Sequence, residues 1–339
     1  MTTLSRCLRP LLLAGFTAIL TAAGATARAE TPTGPRLDFP AGLATDGRTV
    51  WVASSRNNTI TAIDIASHSL SLVAGETFKQ GHNDGTGEAA HFDSPDGMVL
   101  VGRNLYIADT NNSDIRKLNL DTRVVSTAAG VANLSGTDDG PAGAAHFNLP
   151  TQLASDGNYI YITDSGNSTI RRLSLLENNV KTIGGQAQQT GRQDGPPAKS
   201  TFSGPRGIAT DGKFVYVADT GNNLIRKIDI STFETKTIAG TGEEGNANGP
   251  GDKASFSNPG AMCLNGTSLY VMDADNHAVR KVDTATNEVT TVTLVNGHIG
   301  SGCTVSADGH TLYYSDTTEN SVQATDTSNG NFTPLYPVN

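Results

Sequence analysis

The chain has 339 residues, with 24 Lys and Arg against 33 Asp and Glu, for a net charge of −9. An acidic surface repels nucleic-acid phosphates and anionic lipid headgroups, so no nucleic-acid partner is expected. With 37 Gly and 37% hydrophobic residues, the composition suits a turn-rich folded protein better than a disordered one.

Residues 1–29 stand apart. Arg6 and Arg9 form a short basic region, Leu11 to Leu20 is continuously apolar, and Ala27-Arg28-Ala29 precedes Glu30. These are the three parts of a secretory signal peptide, which predicts removal of 1–29 and export of 30–339 to the periplasm or beyond the cell. A retained anchor is the alternative, although the apolar run is short for a bilayer. Cleavage would remove Arg6, Arg9 and Arg28 and no acid, making the mature chain three charges more negative. No second apolar stretch of membrane length follows, so the mature chain is expected to have no membrane span and to be a monomer.

The rest of the chain repeats itself. Phe39-Pro40, Phe92-x-x-Pro95, Phe147-x-x-Pro150, Phe202-x-x-Pro205 and Phe256-x-x-Pro259 recur every 54 or 55 residues. After each Pro come an apolar stretch, a Gly-containing turn, and a second stretch such as Leu105-Tyr106-Ile107-Ala108-Asp109. An Asn-rich turn leads to a third, such as Ile115-Arg116-Lys117-Leu118, and a Thr/Val-rich run ends in Ala-Gly or Gly-Gly. Alternating β-branched and aromatic runs between Gly, Asn and Asp turns predict four strands per unit. Such a unit, repeated, is a propeller blade. Six blades are predicted, at about 37–75, 92–130, 147–185, 202–240, 256–294 and 298–337. The fold class is therefore all-β, a six-bladed β-propeller of four-stranded antiparallel blades. The sixth is degenerate, with Gly300-Ser301-Gly302 in place of Phe-x-x-Pro.

Pro205-Arg-Gly-Ile-Ala-Thr-Asp-Gly, Tyr216-Val-Ala-Asp-Thr-Gly-Asn-Asn and Ile225-Arg-Lys-Ile-Asp resemble the NHL-repeat consensus. So do the linker sequences Gly81–Gly85 and Gly191-Arg-Gln-Asp194-Gly195. The resemblance covers nearly the whole mature chain and implies an NHL-type propeller of the exported bacterial kind.

Four blades share a charge motif in which an Asp ends the second strand seven residues before an Arg: Asp109/Arg116, Asp164/Arg171, Asp219/Arg226 and Asp273/Arg280. Blade 1 has Ser54 and Thr61 there, and blade 6 has Asp316 and Gln323. Joint loss of both charges is what pairing predicts, because a lone buried charge is costly. These are read as structural charge pairs rather than an acid/base array. Cys263 and Cys303 align about three positions out of register, about 10 Å at strand rise. That distance exceeds disulfide reach, and the two are read as small buried thiols, with pairing left open.

In an up-and-down blade, the turn between the second and third strands shares a face with the linker to the next blade. The long linkers 76–91, 131–146, 186–201 and 241–255 therefore crown that face, where binding residues usually collect. Asn112, Asn167, Asn222 and His277 lie in its turns, although Asn and Gly also serve turns with positive φ. The positions just after each first-strand Pro, with Ser301 to Cys303 in blade 6, should ring the channel mouth, making Asp96, Gln152 and Arg206 the candidates for a small polar ligand. No catalytic residue is assigned and no cofactor is expected. A metal-dependent hydrolase resembling the gluconolactonase group would need about six oxygen ligands, and the first strands offer one mouth carboxylate. A zinc lyase resembling the peptidylglycine amidating-lyase propellers would need convergent histidines, for which His82, His91 and His146 are the alternative set. The expectation is a non-catalytic binding or scaffold module for a protein, peptide or glycan.

Overall fold

A computed structural model describes residues 34–295 and 297–337; the signal peptide expected at 1–29 lies outside them. Each blade is one antiparallel sheet built from consecutive segments, with no strand exchanged between blades. In blade 2 the innermost strand is Pro95–Val101, followed outward by Asn104–Asp109, Asp114–Asn119 and Val124–Ala129. The other blades repeat this order, from Pro40–Thr45 in blade 1 to Phe332–Tyr336 in blade 6.

The alternating strands leave each sheet apolar on both faces, and the neighbours cover them. Six buried apolar clusters result, one at each junction between blades. Phe92, Phe147, Phe202 and Phe256 are fully buried in four of them, which accounts for the aromatic residue ahead of blades 2 to 5, whereas Phe39 ahead of blade 1 is exposed. The ring closes through Leu37, which joins Val50, Tyr313 and Val322 in the cluster between blades 6 and 1. Phe39 N donates to Asn320 Oδ1 at 2.7 Å across the same junction.

The sequence leads to four strands per blade, but three blades carry a fifth. Gly85–Thr86, Gly140–Pro141 and Gly249–Pro250 lie in the long linkers and pair with the outer strand of the blade that follows. Gly195 does the same with Thr235 in blade 4. Each long linker thus runs out to the rim and shields an edge that would otherwise be open to strand addition.

Near the axis the inner strands crowd one another. A Cβ on Gly42 would fall 2.3 Å from Asp96 O, and one on Gly97 would fall 2.4 Å from Thr151 O. Glycine lets the backbones approach this closely. Gln152 stands at the same repeat position in blade 3, and its long side chain has to project into the channel instead.

Candidate ligand site at the channel mouth

The structure brings Asp96, Gln152 and Arg206 together. They line one cavity of about 190 Å³ at the end of the channel that faces the linkers, walled also by Phe39, Asn258 and Thr317. Gln152 Nε2 donates to Ser301 O of the opposite blade, so the amide is a bar across the channel and the mouth is a cup rather than a pore. Ser301 Oγ donates to Asp96 Oδ1 at 2.5 Å. Burial pushes the Asp96 carboxyl up to about 6, and the Ser301 hydroxyl and the Arg206 charge limit the rise. At neutral pH the carboxylate is therefore ionised beside an exposed guanidinium, which makes no hydrogen bond through its side chain among the described residues. A fixed carboxylate, a fixed amide and an exposed guanidinium can hold a polar group that both donates and accepts. Ser301 lies in the stretch Ser301 to Cys303 that the sequence places at the mouth, and the structure singles it out within that stretch, which no Phe-x-x-Pro fixes in register.

The turn residues are placed differently. Asn112 and Asn167 are buried, Asn222 is partly so, and their amides are already occupied. Asn112 Nδ2 donates to Asp109 Oδ2 at 2.8 Å and to Gly81 O at 2.7 Å. Asn167 and Asn222 repeat both bonds, to Asp164 and Gly136 and to Asp219 and Gly191. The left-handed turn position falls on the next residue, Ser113, Ser168 or Asn223. The Asn is required for its inward-reaching amide, which corrects their assignment as ligand contacts. His277 itself takes the left-handed position, with φ 48°. Its Nδ1 lies 3.0 Å from Gly297 O.

Asp109, Asp164, Asp219 and Asp273 stand 3.0, 2.8, 2.6 and 2.8 Å from Arg116, Arg171, Arg226 and Arg280. Burial pushes the Asp109 carboxyl up to about 6, while the Arg116 charge and the Asn112 amide pull it down. Each Arg also holds the linker ahead of its own blade. Arg116 Nη2 donates to Asp84 Oδ1 at 2.7 Å, and Nη1 to His91 O at 2.9 Å. Asp139, Asp194 and Asn248 meet Arg171, Arg226 and Arg280 in the same way. The Phe that opens each of these blades stacks beneath the guanidinium, 4.9–5.4 Å from ring centre to guanidinium carbon. The constant spacing of 32 residues between linker acid and Arg was the available signal for this second partner.

The alternative histidine set does not converge. His91 Nε2 faces Glu76 at 3.3 Å and His146 Nδ1 faces Asp138 at 2.9 Å, each within its own linker, and His82 is exposed. Among the described residues no three His, Cys, Asp or Glu side chains are grouped to hold a metal ion. The cysteines correct another expectation. Cys263 and Cys303 form a disulfide, with Cα atoms 5.8 Å apart. Blade 6 inserts one more residue in its first-strand bulge, between Ile299 and Cys303, than blade 5 does between Pro259 and Met262. Cys303 therefore aligns with Met262, one position from Cys263 rather than three.

The family model for the NHL repeat matches residues 202–228, the first three strands of blade 4. NHL repeat-containing protein 2 of Bos taurus is 30% identical over 301 residues, covering 62% of this chain and 41% of that protein. The chain spans about two fifths of the length of the curated NHL relatives it matches. Among solved structures, an auxiliary nutrient binding protein from Bacteroides ovatus superposes with a TM-score of 0.61 at 13% identity, over 88% of this chain and 70% of that one. A chain of a nidogen/laminin complex gives 0.59 at 16%, over 84% and 92%. At such identities these two show the fold alone. The repeated Asp–Arg blades, the six-sector ring and the matched repeat together make this chain an NHL-repeat β-propeller.

Proposed function

We infer that the chain is an exported, non-catalytic binding propeller, which recognises a protein, peptide or glycan through its linker-bearing face. The channel-mouth cup is its polar anchor. The observation that carries this reading is the cup itself: Asp96, fixed by Ser301, faces an Arg206 side chain that has no internal partner. A guanidinium beside a carboxylate, with no side-chain hydrogen bond among the described residues, is free to meet an incoming acceptor. The disulfide between Cys263 and Cys303 suits an oxidising compartment.

The test is a peptide and glycan array probed with the purified chain, followed by titration of the hits. Arg206→Ala and Asp96→Ala should each weaken binding by at least about tenfold, the worth of a lost charge-assisted hydrogen bond. Because burial holds the Asp96 carboxyl near 6, binding that uses its ionised form should strengthen as pH rises through 6. Hits that bind both variants undiminished would refute the anchor. For export, N-terminal sequencing of the secreted chain should begin at Glu30; a retained Met1 would refute cleavage.

A further inference from the structure

Blades 2 to 5 show what the space beside the second-strand Asp accepts: a guanidinium from the third strand, covered by a linker that runs to the rim. Blade 6 keeps the acid and lacks both. Gln323 replaces the Arg, and only a short segment joins Leu294 to Ile299. The space is left as a cleft of about 260 Å³, bordered by Leu294, Val295, Tyr314 and Phe332, with Asp316, Glu319 and Gln323 as its polar groups.

Its polar groups are acceptors short of donors. Asp316 Oδ1 accepts from the Thr318 and Glu319 backbone at 2.9 and 3.1 Å. Among the described residues no donor reaches Asp316 Oδ2, against which the Gly297 backbone packs; the carboxyl is turned toward its own turn, whereas Asp109, Asp164, Asp219 and Asp273 meet the backbone ahead of the first strand. Glu319 occupies the Asn position and brings a charge of the wrong sign to help. Gln323 Oε1 is buried with no hydrogen-bond partner, a state that costs free energy until a donor arrives.

The missing linker leaves a trace at the rim too. Val125, Val180, Thr235 and Val289, the outer-strand residues paired by the linkers, are at most 1% exposed, whereas their counterpart Phe332 is 56% exposed. Blade 1 shows no long linker among the described residues either, but there no charge is left over. Ser54 and Thr61 remove both charges, and Arg36 O accepts the Asn57 amide at 2.6 Å, as linker carbonyls do elsewhere. Among the described residues, blade 6 is the junction that keeps the acid without an Arg beside it.

We propose that this cleft binds an arginine side chain presented by an extended peptide segment of a partner protein. The segment supplies in trans the guanidinium and the covering backbone that blades 2 to 5 carry in cis. A planar five-donor fork can reach Asp316 Oδ2, Gln323 Oε1 and Glu319 together, which a single ammonium cannot. The exposed Leu294 and Phe332 offer apolar contact to the flanking residues, and the chain's negative charge draws a basic segment in. This site is separate from the channel mouth and does not depend on it.

The experiment titrates the chain with a blocked Leu-Arg-Val tripeptide, its citrulline counterpart and arginine amide, read by calorimetry. The arginine peptide should bind, and the citrulline peptide, equal in shape but uncharged, should bind at least about tenfold more weakly. Asp316→Asn should cause a similar loss. Gln323→Arg, which restores the cis guanidinium, should abolish peptide binding with an unchanged or higher melting temperature. Equal binding of the arginine and citrulline peptides, no saturable binding of either, or full binding to a folded Gln323→Arg chain would overturn the proposal. Arginine amide binding as tightly as the peptide would overturn the peptide part of it. Should Gln323→Arg fail to fold, the comparison of the two peptides on the unaltered chain decides.

Discussion

Blades 2 to 5 and blades 1 and 6 solve one problem in two ways. All six need a cover on the face where the second and third strands turn. In blades 2 to 5 the cover is a long linker, and a fully buried Arg is the peg that fixes it, bonded at once to its own blade's Asp and to the linker. In blades 1 and 6 no long linker is seen among the described residues, and Thr61 and Gln323 stand where the others have Arg. The difference teaches that the Asp–Arg pair is not a general cement of the blade. It occurs where a linker has to be held, and a buried ion pair is retained when several groups satisfy it together.

Breaking the peg tests this most severely. Asp219→Ala leaves Arg226 buried without its own blade's acid, and about 3–5 kcal/mol of stability should be lost in urea unfolding. Adding Arg226→Met should recover part of that loss. In blade 1, Ser54→Ala removes a buried hydroxyl that has no hydrogen-bond partner, so its cost should be close to zero. Equal losses in the two blades would remove the distinction. The junction of blades 5 and 6 relies on a different device, since the disulfide there spans a sequence separation of 40 residues. Cys263→Ser with Cys303→Ser should cost about 2–4 kcal/mol, and dithiothreitol should lower the melting temperature of the parent chain but not of the double variant.

Blade 2 carries an excess acid that sharpens the comparison further. Asp114 is fully buried, and neither carboxyl oxygen has a hydrogen-bond partner. Blades 1, 3 and 4 place Thr59, Thr169 and Leu224 at the same position. Burial pushes the Asp114 carboxyl up to about 8, with Asp109 and Asp84 adding repulsion and Arg116 opposing it. The folded state therefore binds a proton that the unfolded chain, near the ordinary value of 3.8, releases. Stability should fall as pH rises between those values. Asp114→Asn should flatten that slope and stabilise the chain above pH 8, where it removes a buried charge repelled by Asp109 and Asp84 while leaving the polar atoms unpaired. An unchanged slope would place the titrating group elsewhere.

How much of this was readable in advance follows from where each signal is stored. The blades were legible because Phe-x-x-Pro and the strand alternation are local. Asp96, Gln152 and Arg206 were legible as a ring because they follow the same Pro in successive repeats. In blade 6 the ring was legible only as the stretch Ser301 to Cys303, and the disulfide was not legible, since it depends on one additional residue in a bulge that no local motif marks. The Asn turns misled for a different reason. Turn propensity explains an Asn that adopts left-handed φ, but the left-handed residue here is the one after it, and the Asn is needed for what its amide reaches. Composition shows that a polar residue is in a turn; only geometry shows which way it faces.

His277 offers the finest test of that distinction. It holds the left-handed position that Asn58, Ser113, Ser168, Asn223 and Asn320 hold in the other blades, and its ring sits 5.4 Å from that of His298 beside the open junction with blade 6. Asn tolerates this conformation at least as well as His does. If the ring serves only the turn, His277→Asn should change stability by no more than about 0.5 kcal/mol and leave every ligand from the array bound as before. Unchanged stability with altered binding would make His277 a contact residue on the linker-bearing face. A loss well beyond that limit would mean that its bond to Gly297 O holds the short segment between blades 5 and 6, doing with one imidazole what an Arg does for each long linker.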